Sequence, residues 1–480
     1  MPRKIPRLVW LAVPLAYIVY FYGLTATGML GPDEPRYAFI SRAMAQSGDW
    51  ITPRLWGAPW FEKPALLYWM EGAAFRLGLP DSLAPRLPVA LLAIAFLVFY
   101  WWILNREFGC RPAWTAVLIL GTSGLWIGYS QVGVTDIPLA AAFSAAMLLA
   151  LPWVAKRDTR WLPASSALFG LAVMAKGLVP LPLAVPLLLG GRHVRDWLRP
   201  RVILPFLLVA GPWYALCYLR NGWPFIHELF VVHTFSRVTS GELMHVQPRW
   251  YYFPVLLAAL LPWTPLLALG PARDTLRDRR SLFLLLWALC VFVLFSIALN
   301  KLPGYLLPAM PAFAALIALR LEDAPRARWL LAVCGVLTVA FPIAAQLLPP
   351  ALLSGLSRAP RPHFEISWLA GIAAAVLAGE LDRRRRRLAA VAAIAAAAGL
   401  GILQLKYAAG PRIDASVSAR VLWQQVAAHR GQVCTGNVKR DWKYGLAYYA
   451  GEALPDCASD SRPWQVVPVP PDGAILRPEP

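Results

Sequence analysis

The chain has 480 residues, of which 58% are hydrophobic and only 15% charged, whereas a soluble domain carries about 25% charged residues. Apolar runs of about 20 residues recur along it, and each is long enough to cross a hydrocarbon core of about 30 Å. This composition excludes a soluble protein, and the lack of roughly 10-residue segments of alternating polarity excludes a membrane β-barrel. We therefore predict an all-α polytopic membrane protein.

The formal net charge of +20 does not indicate a nucleic-acid partner. About half of the 46 Lys and Arg residues fall in the short loops on one side of the predicted spans. This is the bias that marks cytoplasmic loops. Arg3, Lys4 and Arg7 precede the first apolar run without a convincing cleavage site after it, which predicts an uncleaved first span with a cytoplasmic N-terminus.

Taken in chain order, the apolar runs predict thirteen spans. They lie at about residues 8–24, 84–104, 113–127, 135–154, 161–175, 178–189, 202–219, 251–269, 282–299, 306–319, 329–348, 366–381 and 388–405. An odd number of spans places the C-terminal tail outside. We predict a transmembrane domain at residues 1–406, with outer loops at 29–82 and 220–250, and a small periplasmic C-terminal domain at 407–480.

The first outer loop predicts two short amphipathic helices lying along the membrane interface. Asp33 followed by Pro35 is typical of a helix start, with an acidic N-cap and proline in the first turn. A second helix is expected after Pro64, with Leu67 and Tyr68 on its apolar side.

The tail is predicted to hold a short helix near residues 416–428 followed by a small mixed segment. Its two cysteines, Cys434 and Cys457, could pair if the tail lies outside, because disulfides persist in oxidising compartments.

Acids and bases are concentrated at the outer ends of the spans, whereas the inner loops hold little besides Arg and Lys. The outer set is Asp33, Glu34, Arg36, Glu62, Lys63, Asp136, Lys176, His233, Arg237, Lys301 and Tyr305. This asymmetry predicts an active site that faces outward.

Each member of the outer set also has a purely structural interpretation. Asp33 would be only an N-cap, Lys176 and Lys301 would be interface anchors, and the histidines would be ordinary loop residues. Asp136 is harder to explain in this way, because it lies among apolar residues and charges in spans are functional candidates by default.

Such a set contains what sugar transfer from a phosphate carrier needs. Arg and Lys can hold a leaving phosphate. A carboxylate can take a proton from the acceptor or stabilise developing positive charge on the sugar.

Several motifs resemble those of the bacterial aminoarabinose transferases, a branch of the GT-C group that includes the protein O-mannosyltransferases. Over residues 1–310 they are Asp33-Glu34-Pro35-Arg36-Tyr37-Ala38, Gly48-Asp49-Trp50, Trp60-Phe61-Glu62-Lys63-Pro64, His233 with Arg237, Pro248-Arg249-Trp250, and Lys301-Leu302-Pro303 with Tyr305. Acid pairs after a first span are shared widely in the group. Glu62-Lys63-Pro64 together with the Lys301 motif is more specific to the aminoarabinose branch.

The resemblance implies a GT-C bundle and a role for each matched residue. Asp33 and Asp136, together with Glu34, would be the catalytic carboxylates. The carrier phosphate would be held by Lys63, Arg36, Lys176, Lys301 and Arg237, supported by Tyr305. Glu62 and His233 match two ligands of a metal site, which would make zinc a possible cofactor. The histidine that completes that site has no clear counterpart, since His429 is the only histidine of the tail.

The resemblance further implies a transferase of the bacterial inner membrane. It would move 4-amino-4-deoxy-L-arabinose from a polyprenyl-phosphate carrier to a lipid A phosphate on the periplasmic face. One alternative is transfer of another sugar to protein or polysaccharide hydroxyls. A second, from a different class, is a transporter or flippase for a lipid-linked sugar. Transporters usually contain internal repeats, and this sequence shows none.

The predicted topology is tested with reporters fused to the chain. The Arg383–Arg387 stretch is expected in the cytoplasm and the tail after Lys406 in the periplasm. A reporter at Pro480 that is active only in the cytoplasm would contradict the thirteen-span count.

Overall fold

The computed structural model describes residues 8–235, 246–271, 277–325 and 327–479. Each of the thirteen predicted spans coincides with helical structure. Within these ranges, seven helical segments are long and apolar enough to cross a membrane, namely Leu87–Phe108, Asp136–Lys156, Pro200–Asn221, Arg279–Ile297, Pro303–Asp323, Arg328–Ser354 and Arg387–Val417. The other six predicted spans fall on shorter or interrupted helices, so the number thirteen remains a prediction.

The α-helices of the first half alternate between membrane segments and short surface segments. They are α1 (Leu8–Ala16), α2 (Asp33–Ser47), α3 (Leu66–Arg76), α4 (Leu87–Phe108), α5 (Cys110–Gly121), α6 (Gly124–Tyr129), α7 (Asp136–Leu149), α8 (Leu151–Lys156), α9 (Leu162–Lys176) and α10 (Pro180–Leu183). A π-helical turn (Tyr17–Phe21) extends α1, and a 3-10 segment (Val185–Leu198) follows α10.

The second half continues with α11 (Pro200–Asn221), α12 (Trp223–Ile226), α13 (Tyr252–Ala259), α14 (Arg279–Ile297), α15 (Met310–Asp323), α16 (Arg328–Leu337), α17 (Ala340–Ser354), α18 (Trp368–Arg383), α19 (Arg387–Val417), α20 (Ala419–Ala427) and α21 (Arg440–Ala450). A π-helical segment (His227–Phe235) follows α12. The 3-10 segments here are Arg249–Tyr251, Thr264–Leu269, Pro303–Ala309 and Leu356–Arg358.

The membrane domain is built around α7 and α8. Their most apolar stretch is completely enclosed by other helices, and α7 packs against α4 and α9. A helix that is apolar on all sides is expected at the centre of a bundle. This central position places Asp136, the first residue of α7, at the end of the bundle core.

The first outer loop forms the two predicted helices, α2 and α3, which pack against each other. Tyr37, Ile40 and Met44 of α2 are buried, as are Leu67 and Tyr68 of α3. The N-cap prediction for Asp33 is wrong, because Pro32 precedes the helix and Asp33 is its first residue. Its carboxylate contacts Arg36, one turn later, at 2.6 Å.

Between α2 and α3 the chain makes a two-residue hairpin turn. Strands β1 (Arg54–Leu55) and β2 (Ala58–Pro59) are antiparallel, and Trp56 and Gly57 connect them with φ values of 54° and 83°. Positive φ at both positions is typical of a type I′ turn. Glycine suits this backbone, whereas a tryptophan there costs about 1–2 kcal/mol.

The tail is a small α/β unit. The predicted helix is α20, and strands β3 (Val433–Thr435), β4 (Trp464–Val469) and β5 (Gly473–Pro478) form a sheet in the order β3-β4-β5. β3 is parallel to β4, and β4 is antiparallel to β5. Cys434 and Cys457 form a disulfide, as the sequence allowed. The predicted boundary at residue 406 falls within α19, so the division into domains remains a prediction.

This C-terminal unit is docked on the first outer loop. Gly28 N donates to Asp414 at 2.6 Å, and Arg420 donates to the carbonyl oxygens of Thr25 (3.0 Å) and Ala26 (2.9 Å). The approach is so close that a Cβ atom on Gly28 would lie 2.1 Å from the Ser418 hydroxyl. Glycine is therefore required at this position.

The disulfide is expected to stabilise the C-terminal unit, because it closes a loop with a sequence separation of 23 residues. Loop-closure entropy for this length corresponds to about 3 kcal/mol. Replacing both cysteines with alanine should lower the melting temperature of the purified protein and increase proteolysis within residues 435–456. Unchanged melting and proteolysis would show that docking alone holds the unit.

Candidate active site

A buried ion pair fixes the start of α2. Glu34 and Arg86 are each 1% exposed, and Arg86 Nε and Nη2 contact the two oxygens of Glu34 at 2.6 and 2.8 Å. Glu34 also accepts hydrogen bonds from Leu30 N (2.7 Å) and Gly133 N (3.0 Å). Both oxygens of Glu34 are thus used in holding three segments together.

Beside it, acids and bases alternate in a row of ion pairs, which we term the outer ion row: Asp33, Arg36, Glu62 and Lys63. Arg36 contacts Asp33 at 2.6 Å and Glu62 at 2.8 Å, and Glu62 contacts Lys63 at 2.9 Å. The side chains of Arg36, Glu62 and Lys63 are at most 7% exposed, whereas that of Asp33 is 48% exposed. Asp33 is the member that a substrate reaches most easily.

Although burial alone would lower it, the carboxylates of Glu62 and Asp33 raise the pKa of Arg36. The guanidinium therefore stays charged at neutral pH. It lies against three aromatic rings, with its carbon 5.3 Å from the centre of Tyr37, 5.6 Å from Trp60 and 5.3 Å from Tyr444. These distances are within the range of cation–π contacts.

A second pair of charges lies where α7 begins and α9 ends. Lys176 Nζ donates to Asp136 at 2.8 Å, and it lies 5.0 Å from the ring centre of Tyr305. The Tyr129 hydroxyl accepts a hydrogen bond from Gly304 N at 2.9 Å, which holds the Tyr305 segment in place. The structure therefore brings Asp136, Lys176 and Tyr305 together, although they are far apart in sequence.

The two groups of charges are connected through the fold. Gly133, three residues before Asp136, donates to Glu34, the neighbour of Asp33. Phe61 packs in one apolar cluster with Val173 and Met174 of α9, close to Lys176.

Lys301 lies in the segment between α14 and the following 3-10 turn and is 3% exposed. Its Nζ donates to the carbonyl oxygens of Gln247, at 2.9 Å, and Ala298. Burial and the neighbouring Arg249 guanidinium lower the pKa of Lys301. Two cations near each other, with carbonyl partners for Lys301, favour an anion at this place.

Two predicted residues cannot be placed. Arg237 lies outside the described residues. His233 belongs to the π-helical segment, but its side chain is outside the description. Among the residues that the structure describes, no group of three His, Cys, Asp or Glu side chains could hold a metal. Glu62 contacts the cations Arg36 and Lys63. A zinc site at Glu62 and His233 therefore remains a prediction.

Acids of this region differ strongly in their surroundings. Glu71 of α3 is completely buried and accepts a hydrogen bond from Ser41 at 2.7 Å. Burial raises the pKa of Glu71 well above that of an exposed carboxyl group. Glu71 is thus fully enclosed, Glu34 is paired with Arg86, and Asp33 is half-exposed beside Arg36.

Sequence reasoning missed Arg86, Tyr129 and Tyr444. Arg86 follows a proline just before a span, and an arginine there resembles an ordinary interface residue. Tyr129 lies seven residues before Asp136, and this proximity is the one signal in the sequence that could have identified it as a site residue. Tyr444 comes from the tail, where nothing in the sequence pointed to the first outer loop.

A multi-helix membrane domain with charges of both signs at one end is compatible with the polytopic GT-C glycosyltransferases, and comparisons with known proteins support this fold. The family described as dolichyl-phosphate-mannose-protein mannosyltransferase matches residues 62–214. The fold also matches an oligosaccharyltransferase of Archaeoglobus fulgidus with a TM-score of 0.50 and 13% identity, over 94% of this chain and 64% of that one.

More similar proteins indicate one branch of this class, the aminoarabinose transferases. The chain is 33% identical over 327 residues to the undecaprenyl phosphate-alpha-4-amino-4-deoxy-L-arabinose arabinosyl transferase of Edwardsiella ictaluri, and the match covers 64% of this chain. It covers 58% of that protein, so the matched region is less than two thirds of the relative's length. The structure of ArnT from Cupriavidus metallidurans bound to undecaprenyl phosphate matches with a TM-score of 0.74 and 27% identity, over 96% of this chain and 92% of that one.

The chain is a multi-pass membrane protein and a homologue of the bacterial aminoarabinose transferases. The resemblance first indicated by Glu62-Lys63-Pro64 and the Lys301 motif is thereby confirmed, as is the GT-C fold. The assignment of individual site residues remains a prediction.

Glu34 and Asp33 are expected to respond differently to removal of charge. Glu34→Gln leaves Arg86 buried with an uncompensated charge, which costs about 3–5 kcal/mol. It should sharply lower the melting temperature and yield of folded protein. Asp33→Asn, at a half-exposed position, should melt like the wild type. A Glu34→Gln protein with unchanged melting but no activity would support the predicted catalytic role of Glu34.

Proposed function

We propose that this protein transfers 4-amino-4-deoxy-L-arabinose from undecaprenyl phosphate to a lipid A phosphate. The reaction would take place on the periplasmic face of the bacterial inner membrane, with the N-terminus in the cytoplasm and the C-terminal unit in the periplasm. The observation that carries this proposal is the outer ion row, in which half-exposed Asp33 contacts buried Arg36, and Glu62 connects Arg36 to buried Lys63. The homology to enzymes named for this reaction supports the choice of sugar and carrier.

In this reaction the bond between C1 of the sugar and the phosphate oxygen of the carrier breaks. The electron pair stays on that oxygen, so negative charge grows on the leaving polyprenyl phosphate. Lys63, Arg36, Lys176 and Lys301 would neutralise it, supported by Tyr305. Positioned cations act most strongly where charge develops in the transition state.

Without substrate, most of these cations are neutralised by carboxylates. Arg36 and Lys63 pair with Asp33 and Glu62, and Lys176 pairs with Asp136. These pairs keep several like charges together in a poorly solvated place. An incoming phosphate would share the cations, which sets Asp33 and Asp136 free to face the sugar.

The new bond forms between C1 and an oxygen of the acceptor. A lipid A phosphate is largely ionised at pH 7, since its second pKa is near 6, so it scarcely needs a base. For this acceptor Asp33 and Asp136 would orient the sugar and stabilise positive charge on its ring.

A second candidate is transfer of a sugar to a protein or polysaccharide hydroxyl. The match to the mannosyltransferase family over residues 62–214 favours it. A hydroxyl acceptor must lose a proton, and half-exposed Asp33 is the carboxylate placed to take it. The proton distinguishes the two candidates, because only the hydroxyl acceptor would make the rate depend on a base.

The proposal is tested by release of undecaprenyl phosphate from undecaprenyl-phosphate-aminoarabinose in detergent, with lipid A as acceptor. Lys63→Ala should reduce the rate by about 10²–10³-fold, as loss of one oriented donor does. It should weaken carrier binding much less, because its benefit grows with the transition-state charge. Asp33→Asn and Asp136→Asn should each remove nearly all activity. Lys156→Ala, at an exposed position at the end of α8, is the matched control and should be normal.

This assay also separates a transferase from a flippase. A detergent solution has no two compartments, so a flippase would release no product at all. Absence of release with lipid A, and then with peptide or polysaccharide acceptors, would overturn the transferase proposal.

A further inference from the structure

Helix α21 brings the C-terminal unit to the outer ion row. The ring of Tyr444, in the middle of that helix, lies 5.3 Å from the guanidinium carbon of Arg36. The ring of Trp56 stacks on it at 5.6 Å with an angle of 27° between the planes, and the guanidinium carbon of Arg440 lies 5.7 Å from its centre. Tyr444 thus lies between the hairpin tip and the cation that the proposed reaction uses.

The guanidinium of Arg36 contacts two kinds of group, aromatic rings and carboxylates. Aromatic rings of Tyr37, Trp60 and Tyr444 surround the guanidinium, while its Nη2 contacts both Asp33 and Glu62. Its Nε is buried and has no hydrogen-bond partner within the described part of the chain. A buried donor without an acceptor is costly, so an oxygen atom brought next to it would gain a hydrogen bond that the protein itself does not supply.

The hairpin supports Tyr444 from the other side. Trp56 adopts a positive φ of 54°, in the left-handed region that favours glycine. Backbone outliers of this kind persist where surrounding contacts hold them, and they are frequent at functional sites. Here the outlier places the Trp56 ring against Tyr444.

Contacts other than that of Tyr444 also attach the C-terminal unit. Tyr448 OH donates to Asp81 O at 2.7 Å, Met29 N donates to Tyr449 OH at 3.1 Å, and Arg42 lies 4.5 Å from the ring centre of Tyr448. Together with the bonds of Asp414 and Arg420, these contacts hold the unit in place. The contact of Tyr444 with Arg36 is therefore one of several between the two parts of the protein, and it can serve a purpose besides docking.

We propose that Tyr444 is a positioning residue, through which the C-terminal unit holds Arg36 in the orientation that binds the carrier phosphate. This inference rests on the proposed function for its catalytic part, but the binding part stands without it. It makes the C-terminal unit a component of the active site and not an appendage.

The test compares Tyr444→Ala and Tyr444→Phe in the release assay. Loss of the ring should reduce kcat by about 10- to 100-fold, because small misplacements of a catalytic group have effects of this size. KM for the acceptor should change little. Tyr444→Phe keeps the ring face and should restore most of the activity.

A matched control loses an aromatic ring within the same unit. Trp464 stacks on His429 at 3.9 Å, inside the C-terminal unit and away from α2. Trp464→Ala should therefore keep the wild-type kcat in protein that remains folded. An equal loss of activity in Trp464→Ala and Tyr444→Ala would overturn the inference in favour of general destabilisation.

A double-mutant cycle with Arg36 decides whether Tyr444 acts through that residue. In an Arg36→Ala background, Tyr444→Ala should have no further effect, since coupled residues are not additive. The same cycle is measured for binding of undecaprenyl phosphate by thermal shift, which needs no turnover. Additive effects in both measurements would overturn the inference. Lack of release by the wild type would overturn only the proposed function, and the binding cycle would still decide the role of Tyr444.

Discussion

The ion pair between Glu34 and Arg86 is the constraint on which the outer end of the molecule depends. Arg86 donates to both oxygens of Glu34 and to the carbonyl oxygens of Leu24, Thr27 and Gly28. Glu34 in turn accepts from Gly133, on the way to α7. Burial of a carboxylate is strongly destabilising unless a countercharge and hydrogen-bond donors surround it. Because these partners come from separate segments, the pair fixes the start of α2 relative to both of them.

From this fixed point the charges at the outer end fall into two kinds. Glu34 and Arg86 are fully enclosed and use their bonding capacity within the protein. Asp33, only one residue before Glu34, is half-exposed and shares its carboxylate with Arg36. One turn of helix thus carries a structural acid and an acid within reach of substrate. Adjacent residues of a helix point in different directions, so this division follows from α2 itself.

Much of the fold could be predicted from the sequence, because lipid imposes a simple rule on every span. The apolar runs predicted the helices of the bundle. The helical spacing of Tyr37, Ile40 and Met44 predicted α2, and all three side chains are buried. The pairing of Asp136 with Lys176 could not be predicted, since helix order in a bundle depends on packing between segments far apart in sequence. The N-cap role of Asp33 was wrong because Pro32 shifts the helix start by one residue. The contact of Tyr444 with Arg36 was also beyond reach, as it depends on where a separate unit docks.

The long reach of these contacts has a consequence for how the protein matures. Met29 and Tyr449, which bond to each other, are 420 residues apart in the chain. During synthesis the outer ion row therefore emerges early, long before α21 can cover it. The loop that Cys434 and Cys457 close contains the whole of α21, and the disulfide that closes it forms in an oxidising compartment. A chain that stops short, or inserts with its tail on the wrong side, carries the charges without the ring that orders them. The contact of Tyr444 with Arg36 therefore forms only after nearly the whole chain has been made.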